Sequence, residues 1–176
     1  MPSGNDLTPE ASAWIAGLLA HAAEACVLTT PTVNGYKRYQ PFQMAPDRIQ
    51  WGRDNRGAMV RGLMAPGDGA SRVENRVAEP AANPYYVFAA QILAGLSGVE
   101  QGLTAPPPVL TPYDSDAVRL PGSLIDAITA FEGGTLFADT LGADFTGYIS
   151  TLKRAEWNRY LSTVSEWEQR EYFGLL

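Results

Sequence analysis

The chain of 176 residues has one cysteine, Cys26, and one histidine, His21. A lone thiol excludes an internal disulfide and suits a reducing, cytoplasmic setting. With no basic partner evident, Cys26 reads as a small buried apolar residue and not as a nucleophile. A lone imidazole cannot build a histidine metal cluster, so His21 is expected in the core or at an interface. No apolar run approaches the roughly 18 residues of a membrane span. MPSGNDLTPE has no signal-peptide pattern, and there is neither an internal repeat nor a low-complexity tract. Charge is also sparse, 18% against 45% hydrophobic residues, which fits a globular domain with room for subunit contacts.

What charge there is lies unevenly. Residues 31–76 carry eight Lys or Arg against four Asp or Glu, a net of +4. The remainder carries five against fifteen, a net of −10, and together these give the overall −6. A basic zone inside an acidic protein argues for a small anionic ligand such as a nucleotide. It argues against nucleic acid, which needs a basic face on the whole domain.

Within that zone, SRVENR stands out. If residues 71–77 form a strand, Arg72, Glu74 and Arg76 line one face, with Val73, Asn75 and Val77 on the other. Two guanidiniums flanking a carboxylate invite completion by an anion, which arginine grips bidentately, or by a hard cation on the glutamate. Alone, such a triplet reads as a solvent-exposed ion-pair ladder. Arg38, Arg56 and Arg61 converge on the same zone and weaken that reading.

The flanking segments read mainly as helices. Thr8 followed by Pro9 opens a helix carrying Trp14, Ile15, Leu18 and Leu19 to about Ala25. Residues 29–46, broken by four prolines and glycines, form a long loop. Residues 49–51 and 58–63 read as strands joined by a DNRG turn, giving a small antiparallel sheet with residues 71–77; Val60, Val73 and Val77 face a core. Asn83 and Pro84 cap a helix with the apolar stripe Tyr85, Phe88, Ile92 and Leu96, stopped by Gly98. Residues 101–121 form an extended proline-rich connection packed on a neighbour. Ser123 opens a helix with Leu124, Ile128 and Phe131, and Asp144 a longer one with Phe145, Ile149, Leu152 and Tyr160. A Ser165–Glu168 capping box starts a last helix ending near Phe173. The aromatics at helical spacing are expected in the core. The class is α+β, a small antiparallel sheet backed by helices.

At NGYKR, NRGAMVR, RVENR and AANPY the chain resembles the C-terminal catalytic part of the glutamine synthetase family, in the family's order and approximate spacing. The resemblance implies that residues 1–176 lack the N-terminal β-grasp domain and the front of the catalytic domain. It implies an ATP-dependent ligase that activates glutamate as a γ-glutamyl phosphate and lets an amine or ammonia displace the phosphate. By resemblance, Arg38 and Arg76 hold glutamate, Arg56 lies near the transferred phosphoryl group, Arg61 and Arg72 contact nucleotide phosphates, and Glu74 binds Mg2+ or Mn2+. Arg53 has a counterpart without an assigned role. Family members form homo-oligomeric rings; no nucleic acid and no membrane is implied.

Three departures qualify the resemblance. Met44 stands where the family's flap carries a glutamate, which favours a bulkier, less charged amine and the γ-glutamyl-amine synthetase-like branch. The GDGA turn lacks the family's lysine. Most metal-binding glutamates and a metal-binding histidine are absent, so the fragment is expected to be inactive alone, either part of a split or longer enzyme or a non-catalytic remnant of the same fold.

Overall fold

A computed structural model of the chain describes residues 7–40, 45–65 and 67–175. Thr8 Oγ1 accepts from Ala11 N at 3.1 Å and Pro9 occupies the first turn, so helix α1, Pro9–Ala20, begins where the sequence predicts. It ends earlier than the expected Ala25. His21 leaves helical geometry (φ −102°, ψ 11°), and α2, Ala22–Thr29, departs at 75°. The bend lets α1 pack on α3 while α2 packs on α4, which one straight rod could not do. His21 pins it: Nδ1 lies 2.5 Å from Glu24 Oε1, and Nε2 lies 3.0 Å from Ser97 Oγ on α3. Among the described residues no single helix is long and apolar enough to cross a membrane.

Asn83 Oδ1 accepts from Tyr85 N at 2.9 Å and starts α3, Pro84–Glu100, which runs two residues past Gly98. The face it buries is not the one its large residues suggest. Ala90, Ala94, Gly95, Ser97 and Gly98 are buried. Tyr85, Phe88, Ile92 and Leu96 point outward with 76%, 61%, 48% and 42% of their surface exposed. Contact with α1 is so close that a Cβ on Gly17 would sit 2.1 Å from Ala94 O, leaving room only for the small-residue face.

The sheet is small and mixed. Strands β1 (Trp51–Arg53), β2 (Val60–Leu63) and β3 (Arg72–Asn75) lie in that order. The β2–β3 pair is antiparallel as expected, with Arg61 opposite Glu74, but β1 is parallel to β2, with Trp51 opposite Val60. Parallel pairing across so short a connection works because a three-residue strand is only ~10 Å long, a distance six residues can retrace. Asp54 starts that return with φ 44°, a left-handed conformation short polar residues tolerate. Val60 and Val77 are buried and Val73 packs against the core, as alternation predicts.

The proline-rich connection packs on β1: Val109 N donates to Trp51 O at 2.8 Å, and Trp51 Nε1 to Pro106 O at 2.6 Å. Helices α4 (Leu124–Gly133), α5 (Leu136–Leu141), α6 (Ala143–Leu161) and α7 (Glu166–Tyr172) follow, α7 with the expected capping box. Leu124, Ile128, Phe131 and Phe137 are fully buried with Ile15, Leu28 and Met59. The C-terminal aromatics depart from the core expectation. Ile149 is buried and Phe145 packs edge-on to Tyr86 at 5.5 Å, but Leu152, Tyr160 and Phe173 are exposed, Phe173 to 79%. Helix α6 packs on α4 and α5 and leaves its other face outside, while no residue described in α7 or in the 3-10 turn Phe173–Leu175 after it is buried.

Candidate functional site

The arginines come from three places in the fold. Arg38 ends the 3-10 helix Gly35–Arg38, inside the long loop after α2. Its Nη2 donates to Val77 O, and its guanidinium lies 5.5 Å from the centroid of the Tyr39 ring. Val77 O also accepts from Thr30 Oγ1 at 3.1 Å, and Thr30 Oγ1 lies 2.6 Å from the Tyr39 hydroxyl. Arg38 is thus tied to the residue following Arg76, which brings both predicted glutamate-holding arginines to one stretch of backbone. Arg38 Nε is buried without an acceptor among the described residues. Arg76 sits just past β3, half-buried, its amide donating to Met59 O at 2.9 Å.

Arg61 and Glu74 face each other across β2 and β3, with Nη1 to Oε2 at 3.2 Å. Arg61 also clasps Asp54, Nε donating to Oδ1 at 2.9 Å. The hydrogen bond to Asp54, followed by that to Glu74, raises the pKa of Arg61 and keeps it charged. Arg72 is exposed, and its Nη1 donates to Ala70 O at 2.9 Å. Arg56, on the β1–β2 connection, is exposed and has no hydrogen bond or ion pair among the described residues. Arg53 lies over the Trp51 ring at 5.8 Å. Pairing therefore joins Arg61 to Glu74 and Arg38 to the carbonyl of Val77, the residue after Arg76, while no hydrogen bond or ion pair joins Arg56 or Arg72 to them among the described residues. Met44 lies outside the described residues.

Among the described residues no group of three or more His, Cys, Asp or Glu could hold a metal ion. Glu74 is one carboxylate, already facing a guanidinium, whereas a hard divalent cation takes about six oxygen ligands. The described residues therefore do not by themselves fit the implied Mg2+ or Mn2+. Cys26 is fully buried and burial pushes its thiol up to about 12, so it is no nucleophile. Burial likewise raises the phenols of Tyr36 and Tyr39, which stay neutral and act through hydrogen bonds.

Sequence reasoning missed Asp54 as the second partner of Arg61, and Thr30, Val77 O and Glu79 as the frame around Arg38. Asp54 reads as a turn residue in DNRG, and a backbone carbonyl leaves no mark in a sequence.

Residues 2–172 match the family described as glutamine synthetase, catalytic domain. The γ-glutamylanilide synthase of an Acinetobacter species is 43% identical over 187 residues, covering 98% of this chain and 37% of that protein. The glutamine synthetase of Methanocaldococcus jannaschii is 34% identical over 177 residues, covering 96% of this chain and 39% of that protein. A solved GmaS–ADP complex superposes with a TM-score of 0.84 at 35% identity, over 97% of this chain and 42% of its own. Ligand-free GmaS gives 0.81 at 36% identity, over 95% of this chain and 39% of its own. The chain thus spans about two-fifths of the length of the relatives it matches.

Proposed function

This chain belongs to the glutamine synthetase catalytic-domain family, and from that premise we propose that it is the C-terminal catalytic part of an ATP-dependent carbon–nitrogen ligase. The reaction joins an amine or ammonia to the γ-carboxylate of glutamate. A carboxylate oxygen attacks the γ-phosphorus of ATP, giving γ-glutamyl phosphate and ADP; the amine nitrogen then attacks the acyl carbon, phosphate leaves, and the amine proton passes to a base or to water. Arg38 and Arg76 grip the carboxylate end of glutamate, Arg61 and Arg72 the nucleotide phosphates, and Arg56 the phosphoryl group in flight. Transferring phosphoryl oxygens carry the charge such guanidiniums neutralise.

The observation that carries this reading is the tie from Arg38 to the Val77 carbonyl, which sets two guanidinium-bearing segments side by side with Arg38 Nε still lacking an acceptor among the described residues. Glu74 would be one metal ligand of several, the rest coming from outside the described residues. On this reading the 176-residue chain is inactive alone. The outward apolar stripe of α3 suits a part that packs on further polypeptide, in a cytoplasmic ring of like subunits. The non-catalytic alternative draws on one observation: Arg61 and Glu74 neutralise each other and need no ligand.

Calorimetric titration with ADP and Mg2+ tests whether the arginine sheet forms a nucleotide site on its own. Binding that falls at least tenfold in Arg72→Ala is expected, since one phosphate–guanidinium contact is worth about 1.5–3 kcal/mol. Binding by wild type and Arg72→Ala alike would remove Arg72 from the nucleotide site. No binding by either would mean that the site forms only when carboxylates from outside the described residues complete it, and the ligase reading would then be assayed in a longer protein.

The choice of amine rests on Met44. Similarity to a γ-glutamylanilide synthase supports an uncharged or aromatic amine. In the complete enzyme, Met44→Glu is expected to shift kcat/KM towards ammonia over aromatic amines by about tenfold, as a carboxylate near the amine favours a cation. An unchanged ratio would remove Met44 from amine selection.

A further inference from the structure

Glu79 lies outside the arginine motifs, in the segment leading from β3 to α3, yet both its carboxylate oxygens are committed to the arginine loop. Oε1 accepts from Thr32 N at 2.9 Å and Oε2 from the Thr32 hydroxyl at 3.1 Å. The Glu79 amide donates to Thr29 O at 2.9 Å. Thr32 passes the restraint on, because its Oγ1 accepts from Gly35 N at 3.1 Å, and Gly35 opens the 3-10 helix that ends in Arg38. The packing is equally close. A Cβ on Gly35 would sit 2.5 Å from Glu79 Oε2 and 2.4 Å from Thr30 Cγ2.

We propose that Glu79 is a positioning residue: it clamps the turn at Thr32 and Gly35 so that Arg38 reaches the backbone beside Arg76. The loop is thereby stitched to the segment after β3 at two points two residues apart. One is Val77 O, which receives Arg38 and Thr30; the other is the Glu79 carboxylate, which receives Thr32 twice. Two converging donors, an N–H and an O–H, call for a group with acceptors only, which a carboxylate supplies and a carboxamide supplies by half. With Glu79 gone, the Arg38 side chain keeps one anchor while the turn beneath it loses its own. The geometry alone says how Arg38 is held; that the ligand it holds is glutamate rests on the ligase reading above.

The test follows the Arg38 Nε–Hε resonance of the whole chain by 15N NMR, assigned through Arg38→Lys, in wild type, Glu79→Ala and Glu79→Gln. In Glu79→Ala this signal is expected to lose its rigid-limit heteronuclear NOE and move towards the shift of free arginine, while the core methyls of Ile15, Leu124 and Ile128 stay in place. Glu79→Gln is expected to recover part of the rigidity. A purely structural role would move core signals and the melting temperature together, without singling out Arg38. An Arg38 as rigid in Glu79→Ala as in wild type overturns the proposal. Should Glu79→Ala unfold, the isosteric Gln variant decides, and wild-type Arg38 rigidity there overturns it equally. Titration with L-glutamate reports separately on the ligand: apparent affinity is expected to fall about tenfold in Glu79→Ala and less in Glu79→Gln. Wild-type Arg38 unperturbed by L-glutamate would count against glutamate while leaving the clamp to the mobility result.

Discussion

Gly98→Ala is expected to destabilise the chain by about 3 kcal/mol, towards the upper end of overpacking effects, because the methyl group has nowhere to go. A Cβ at Gly98 would lie 2.1 Å from Ala13 O, 2.6 Å from Gly17 N and 2.7 Å from Gly17 Cα. All three are backbone atoms of α1, so no side chain can swing aside. Relief requires the two helices to part, and the buried Ala90, Ala94, Leu18 and Ile15 would part with them. Helix propensity pulls the other way, since alanine is worth about 1 kcal/mol over glycine inside a helix. Gly147 supplies the control: it lies within α6 with nothing within 4 Å of its ideal Cβ. Gly147→Ala should stabilise by about 0.5–1 kcal/mol, so the two substitutions have opposite signs. By thermal unfolding the Gly98 variant should melt roughly 6–12 °C below wild type, at about 2–4 °C per kcal/mol for this size. Equal melting temperatures for the two variants would show that the α1–α3 seam yields.

The same seam explains where the sequence was legible and where it was not. Local signals worked: Thr8, Asn83, Ser123 and the Ser165–Glu168 box each cap a helix, because a cap is a contact between residues two or three apart. Strand alternation worked for Val60, Val73 and Val77, since their burial follows from the pleat. What failed depends on partners far along the chain. The stripe of Tyr85, Phe88, Ile92 and Leu96 is the more hydrophobic face of α3, yet the glycine-and-alanine face is the one that fits against α1. The break at His21 is set by Ser97, 76 residues away. The parallel pairing of β1 depends on the return through Asp54, whose left-handed backbone no pattern announces. For the candidate site, resemblance picked out the arginines, but the frame holding Arg38 is built from a carbonyl, a hydroxyl and a carboxylate with no motif of their own.

Arg56→Ala is expected to abolish most ligase turnover while leaving the fold untouched, and that separation makes it the sharpest functional test. Arg56 is exposed and holds no hydrogen bond or ion pair among the described residues, so its removal should change stability by less than about 0.5 kcal/mol. Arg61 is the contrast. It bridges Asp54 and Glu74, so Arg61→Ala strips two carboxylates of their partner along with the nucleotide contact proposed for it, confounding stability with activity. If Arg56 meets the phosphoryl group in flight, its value lies in the transition state, where charge spreads over the transferring oxygens. Its loss should then lower kcat about 10³-fold, the lower range for an arginine serving phosphoryl transfer, with little change in the glutamate KM. Arg56→Lys should recover only a small part, because an ammonium restores the charge without the planar fork. Turnover belongs in an enzyme whose catalytic domain is complete and carries this sequence; the melt belongs to the 176-residue chain itself. A raised glutamate KM at unchanged kcat would move Arg56 to ground-state substrate binding, and full turnover in Arg56→Ala would leave the phosphoryl group to the other guanidiniums. Loss of kcat with the fold intact would assign to a surface arginine, one without a partner among the described residues, a role that neither its burial nor its contacts could reveal.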